Sequence, residues 1–152
     1  ISRSHDYAIA IHAREQEVSV LFSLAKKLTG AADIATVCSE LVTKIEEVFS
    51  WKSVILLNDG KGLVVRLASP GLEVTPDDIA VASWAYSKNM VAGYDTDTLH
   101  ASRFRFIPIR SRRGVLGVLG IQPEEAGGII PPEQGRTVEL FADLAGLSIE
   151  RF

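Results

Sequence analysis

A chain of 152 residues, 47% hydrophobic and 23% charged, has the size and composition of one packed globular domain, which excludes a disordered or fibrous protein. A formal net charge of −3 and a pI of about 5.6 leave no excess of cations to neutralise a phosphate backbone, so nucleic acid is not an expected partner. With Cys38 the single cysteine, no internal disulfide can form, and its apolar helical neighbours predict a small buried side chain rather than a reactive thiol.

No apolar run approaches the roughly 20 residues that span a bilayer, and no signal-peptide arrangement opens the chain. A soluble unit is expected, although a sequence beginning with Ile1 fits a piece cut from a longer, membrane-bound parent. Residues 6–28 contain no Gly or Pro. Ile11, Val18 and Ala25 form one row at seven-residue spacing, and Tyr7, Leu21 and Leu28 the adjacent one, as on an amphipathic helix. Arg14 interrupts the second row, so a long coiled coil is permitted but not demanded. Thr29-Gly30 stops this helix, with Lys26 and Lys27 near the negative end of its dipole.

Asp33 is a candidate N-cap for a second helix, in which Ile34, Val37, Leu41, Ile45 and Val48 recur at three- and four-residue intervals up to Phe49. Two apolar runs, 52–58 and 63–68, flank Asp59-Gly60-Lys61-Gly62 and predict a hairpin. Pro70-Gly71 turns the chain, and Thr75-Pro76-Asp77-Asp78 opens a helix through Asn89: Thr75 caps, Pro76 takes the tolerated first position, and the acids face the positive dipole end. Residues 91–103 read as irregular. Two strands at 104–110 and 115–121 across Ser111-Arg112-Arg113-Gly114 make a second hairpin, with Gly114, Gly117 and Gly120 small enough for close packing. Gly127-Gly128 marks a loop, and Pro131-Pro132 precedes a last helix striped by Val138, Phe141, Leu144, Ala145 and Phe152.

Helix, helix, hairpin, helix, irregular segment, hairpin, helix predicts an α+β fold. A mostly antiparallel sheet would carry the N- and C-terminal helices on one face and the middle helix and loop on the other, where they would roof a cavity. Residues 84–99, WAYSKNMVAGYDTDTL, closely resemble the segment of KdpD-type sensor histidine kinases in which a Trp-bearing helix runs into Ala-Gly and then Thr-Asp-Thr-Leu. Phe106-Ile107-Pro108-Ile109, GVLGVLG at 114–120 and PPEQGRTVELFADLAGLSIER at 131–151 also resemble the GAF domain of that family. So do Arg14-Glu15-Gln16 and the helix at 21–28, and the likeness covers about residues 10–152.

Two departures stand out. The family usually has Gly where Asp95 stands, a position suited to φ > 0 that Asp tolerates less readily, and Pro is common where this chain has His100.

The resemblance implies a GAF-like fold with residues 1–30 as an N-terminal signalling helix and 31–152 as the GAF domain ending in a C-terminal signalling helix. It implies a parent located in a bacterial inner membrane, with a cytoplasmic sensor region, a four-helix membrane domain, this domain, and dimerisation and ATP-binding kinase domains. That parent would phosphorylate a response regulator controlling potassium uptake. The phospho-acceptor helix and the ATP-binding domain lie outside these residues, so the fragment itself is expected to be regulatory rather than enzymatic, and no cofactor is expected.

Candidate chemistry is sparse. Ser4-His5-Asp6 resembles the start of a phospho-acceptor box, but Tyr7-Ala8-Ile9 follows in place of its remainder. Asp95 and Asp97 with Thr96 and Thr98 offer oxygen ligands for a hard cation, yet Asp and Thr are also what a turn uses to bond its own backbone, and the turn reading is favoured. His5, His12, His100 and Cys38 lack zinc-site spacing. Arg103, Arg105, Arg110, Arg112 and Arg113 form one dense basic cluster, read either as an anion or acidic-headgroup site or, preferably, as a solvated turn and edge. Alternation puts Arg105 on the face of Ile107 and Ile109.

A small-molecule pocket would be lined by Trp84, Asp95, Thr96, Asp97, Thr98 and Arg105, with Trp84 otherwise a core or interface aromatic. The leading expectation is mechanical. The two terminal helices pair with those of a second chain through Ile11, Val18 and Leu21 and through Val138, Phe141 and Phe152, and relay movement between neighbouring domains. A ligand-gated module binding a nucleotide or cyclic dinucleotide is the alternative, and a free-standing enzyme has least support.

Overall fold

The computed structural model describes the backbone of residues 2–124 and 128–152 and the side chains of 15–124 and 128–152. Chain order runs α1 (Ser2–Thr29), α2 (Ile34–Phe49), β1 (Lys52–Asn58), β2 (Leu63–Ala68), α3 (Pro76–Lys88), β3 (Ala92–Gly93), β4 (Arg105–Ser111), β5 (Gly114–Gln122) and α4 (Pro132–Ile149). The five strands form one antiparallel sheet in the order β2-β1-β5-β4-β3. Its architecture is the expected α+β one, with α1, α2 and α4 on one face and α3 on the other.

Local chemistry sets the element ends. Asp33 caps α2 by accepting from Thr36 N at 2.8 Å, and Ser50 closes it at φ 59. In α3, Thr75 Oγ1 accepts from Asp78 N at 3.3 Å while Asp78 Oδ2 accepts from Thr75 N at 2.8 Å, a reciprocal capping box. Arg103 adds a third bond to Asp78, 3.0 Å from its Oδ2, and holds Glu73 O at 2.6 Å.

Burial alone would raise the pKa of Asp78. The bond from Thr75 N, then those of Arg103 and the Thr75 side chain, together with the charge of Arg103, outweigh it and hold the carboxyl below its ordinary value. A depressed folded value stabilises the native state above pH 3.8 and is lost as pH falls through that lower value. Asp78→Asn is therefore expected to cost about 1 kcal/mol at neutral pH, the usual worth of a cap, and to flatten the loss of stability as pH falls below about 5. Thermal melts across that range check it; an unaltered pH slope would contradict the assignment.

Apolar runs become central strands covered on both faces. In β1, Val54 and Leu56 meet the α3 cluster of Ala82, Ala85, Phe104, Phe106 and Val118, whereas Ile55 and Leu57 meet the α1/α2/α4 cluster. The latter holds Leu24, Leu28, Leu41, Ile45, Ile107, Ile109, Val138 and Phe141, and Cys38 is buried in it. Burial there also raises the thiol pKa.

The β5 glycines split in role. A Cβ on Gly117 would fall 2.1 Å from Leu56 O, and one on Gly120 would fall 2.6 Å from the Phe106 ring, so both serve close packing. Gly114 has nothing near it and stands at φ 119 in the turn, so its contribution is conformational. At the other side of the sheet, Ile55 pairs Leu67 and Leu56 pairs Val65, leaving Arg66 as the extra residue of a bulge in β2.

Candidate functional site

The residues expected to line a pocket do not all come together. Trp84 packs, half-buried, with the α3-face cluster. Arg105 alternates with Phe104 and Phe106 and points to the opposite face, where a Cβ on Gly135 of α4 would stand 3.1 Å from Arg105 Nη1. Strand alternation puts the sheet between them, which corrects their assignment to one site. Under α3, where a roofed cavity was expected, Phe104, Phe106, Ala82, Ala85 and Ala92 pack at 0% exposure.

Arg105 and the 95–98 loop do meet, since Gly93 pairs with Arg105 across β3 and β4. The guanidinium is engaged by its own chain: Nε donates to Tyr94 O at 3.1 Å, Nη2 donates to Asp95 O at 2.6 Å and lies 3.5 Å from Asp95 Oδ2. Burial lowers its pKa, opposed by the charges of Asp95 and Glu139. Asp95 takes the left-handed conformation, φ 55, that a glycine would serve. Its carboxylate accepts from Ile130 N at 2.9 Å, a bond no glycine could make, and Tyr94 OH donates to Gly128 O nearby. Thr96 Oγ1 bonds Gly93 O at 2.7 Å and Thr98 O at 2.8 Å, so this hydroxyl is engaged in the turn, while Asp97 is exposed.

The basic cluster is likewise dispersed. Arg103 goes to Asp78, Arg105 to Asp95, Arg110 to Asn89 and Arg112 to Glu150.

A contiguous apolar feature lies on the helical face. α1 and α4 run side by side, and Val18, Leu21, Phe22, Ala25, Leu140, Leu144 and Leu147, with Asp143, line a groove of about 380 Å³ along their seam. Val18 is 61%, Phe22 65%, Leu140 38% and Leu147 48% exposed. The residues predicted to pair with a second chain need correction here. Val138 and Phe141 are 0% exposed, because the row 138, 141, 145 faces the sheet while the row 140, 144, 147, one residue or so around the helix, faces outward. Val18 and Leu21 lie on the seam. Phe152 is exposed beyond the end of α4, its ring 5.0 Å from the Arg151 guanidinium. The side chains of Ser4, His5, Asp6, Ile11 and His12, and the whole of Gly127, lie outside the described residues.

Polar ties join α1 to its neighbours: Thr137 Oγ1 donates to Glu17 Oε1 at 3.2 Å, and Lys44 Nζ donates to Ser23 Oγ at 3.0 Å. At the far end of the seam, Arg112, Arg113, Leu147, Glu150 and Arg151 line a cleft of about 400 Å³. Sequence reasoning missed Glu150 and Arg151, whose partners lie up to 123 residues away and leave no local periodic signal. No helix among the described residues is long and apolar enough to cross a membrane.

Residues 33–151 match the family model described as GAF domain. The chain is 30% identical over 138 residues to the sensor protein KdpD of Escherichia coli (strain K12), covering 91% of this chain and 15% of that protein. Among solved structures it is similar to the native GAF domain of the potassium sensor histidine kinase KdpD from Escherichia coli, with 27% identity, TM-score 0.75, and coverage of 88% of this chain and 93% of that one. The fold is also that of free methionine-R-sulfoxide reductase from Neisseria meningitidis in complex with its substrate, at 20% identity, TM-score 0.66, and 88% of each chain. One fold thus serves sensing and catalysis, so function resides in particular surfaces and not in the fold.

Proposed function

This chain belongs to the GAF domain family, and from that premise we propose that it is the signal-transmitting and dimerising module of a membrane-bound sensor histidine kinase controlling potassium uptake. The similarity to KdpD supports the kinase setting, although the chain spans only 15% of the length of that relative. The observation that carries the mechanical reading is the apolar groove between α1 and α4.

Four large apolar side chains exposed along one seam are costly in water and mark a surface meant to be covered. A second copy is the occupant that fits. A twofold axis through the seam would lay α1 and α4 of one chain against the same pair of the other, closing a four-helix arrangement with a self-complementary interface. α1, with 28 residues, is about 42 Å long at 1.5 Å per residue, long enough to carry a displacement past the sheet. Two alternative packings of such helices would constitute the switch.

Cysteine substitution tests the proposal in the full-length protein that carries this domain. Val18→Cys and Leu147→Cys are each expected to crosslink between subunits under mild oxidation, whereas Phe141→Cys, enclosed in the core, is not. Absence of crosslinks at both Val18 and Leu147 in every signalling condition would remove the dimer seam, and the relay with it.

A further inference from the structure

Most of the α1–α4 seam is apolar contact, which is non-directional and lets helices slide. Apart from the Thr137–Glu17 bond part-way along it, the directional bonds described for the seam concentrate at one end. Arg151, just past α4, donates from its guanidinium to Leu28 O at 3.1 Å, Thr29 O at 3.2 Å and Ala31 O at 3.1 Å. These carbonyls lie at and just past the C-terminus of α1, where a helix leaves acceptors unpaired and carries the negative end of its dipole. A planar fork of fixed donors can hold three such acceptors in one geometry, which a lysine ammonium cannot reproduce.

The preceding residue ties α4 the other way. Glu150 Oε2 accepts from Arg112 N at 3.0 Å and Oε1 from Arg112 Nε at 2.8 Å, in the turn between β4 and β5. Two consecutive residues therefore clamp the end of α4, one to the outgoing end of α1 and the other to the sheet.

We infer that Arg151 is the joint of this domain, the positioning residue that makes the end of α4 follow a displacement of α1, with Glu150 holding the pivot to the β4–β5 turn. Its regulatory meaning rests on the relay reading above, but its geometry is tested independently. Spin labels at Ser19→Cys and Arg136→Cys, both exposed positions on α1 and α4, report the helix separation in this chain, with Cys38 buried and unlabelled.

Arg151→Ala is expected to widen the distance distribution at least about two-fold, as a seam freed of its directional clamp samples neighbouring packings, with Arg151→Lys between it and the native chain. Val54→Ala, which weakens the opposite face of the sheet, is expected to leave the width unchanged. An unaltered width in Arg151→Ala, or equal widening in Val54→Ala, overturns the inference.

In the full-length protein, locking α1 through an oxidised Val18→Cys pair is expected to change the autophosphorylation rate, and Arg151→Ala to abolish most of that change. If the lock acts equally with and without Arg151, the joint fails. If the lock has no effect even with Arg151 present, the relay reading fails, and the regulatory meaning of the joint falls with it.

Discussion

Phe141→Ala is expected to lower the unfolding free energy by about 3–5 kcal/mol, the range for removing a buried aromatic side chain. Phe141 is fully enclosed, its ring 5.5 Å from that of Phe49, which stacks at 4.4 Å on Trp51. These rings join the end of α2, the start of β1 and the middle of α4, so the neighbours are fixed by three elements and cannot collapse into the space. Domains of this kind are stable by only about 5–15 kcal/mol in total, so the variant stands near the threshold of folding. Phe141→Leu, which keeps much of the volume, is expected to cost less than about 1.5 kcal/mol. Urea titrations would show the midpoint falling at unchanged slope; a midpoint within error of the parent would mean that α4 does not seat on this cluster.

Gly146→Ala is expected to destabilise by about 1–3 kcal/mol or more through overpacking, against a gain of roughly 1 kcal/mol that the same change yields in an exposed helix. The sign is decided by contact: a Cβ at Gly146 would lie 1.9 Å from Arg110 O and 2.7 Å from its carbonyl carbon. Those atoms are backbone, at the irregular step of β4 between Ile109 and Arg110, and cannot rotate aside. α4 must lift away from the sheet, which also disturbs the Arg112–Glu150 contact and the groove. Chemical denaturation giving a stabler Gly146→Ala variant would refute so close an approach of helix and strand.

Much of the architecture was legible because local chemistry marked it. Asp33 and the three- and four-residue apolar spacing delimit α2, Thr75-Pro76 opens α3, and the two glycine-bearing turns fix the hairpins. The strand bridge at Ala92–Gly93 was missed, since two residues show no periodicity. α4 misled for a different reason: Val138 and Phe141 form one apolar row, and Leu140, Leu144 and Leu147 another. Sequence alone reports both rows as hydrophobic, while only the position of the sheet decides which is inside.

The pocket residues divide on the same ground. The nearness of Arg105 to the 95–98 loop follows from strand pairing, but Trp84 belongs to a helix whose choice of face is tertiary. The left-handed Asp95 was foreshadowed by its departure from the glycine of the pattern that the sequence resembles.

The bulge at Arg66 bears on how copies of the chain can meet. The bulge and the exposed Arg66 discourage strand-to-strand recruitment on the β2 flank beside the exposed Val64 and Val65, and the opposite flank ends in a bridge of two residues, too short to template another ribbon. Growth by sheet extension is thereby disfavoured at both borders, which leaves the helical seam, and not the sheet margins, as the place where the proposed pairing of two copies would close.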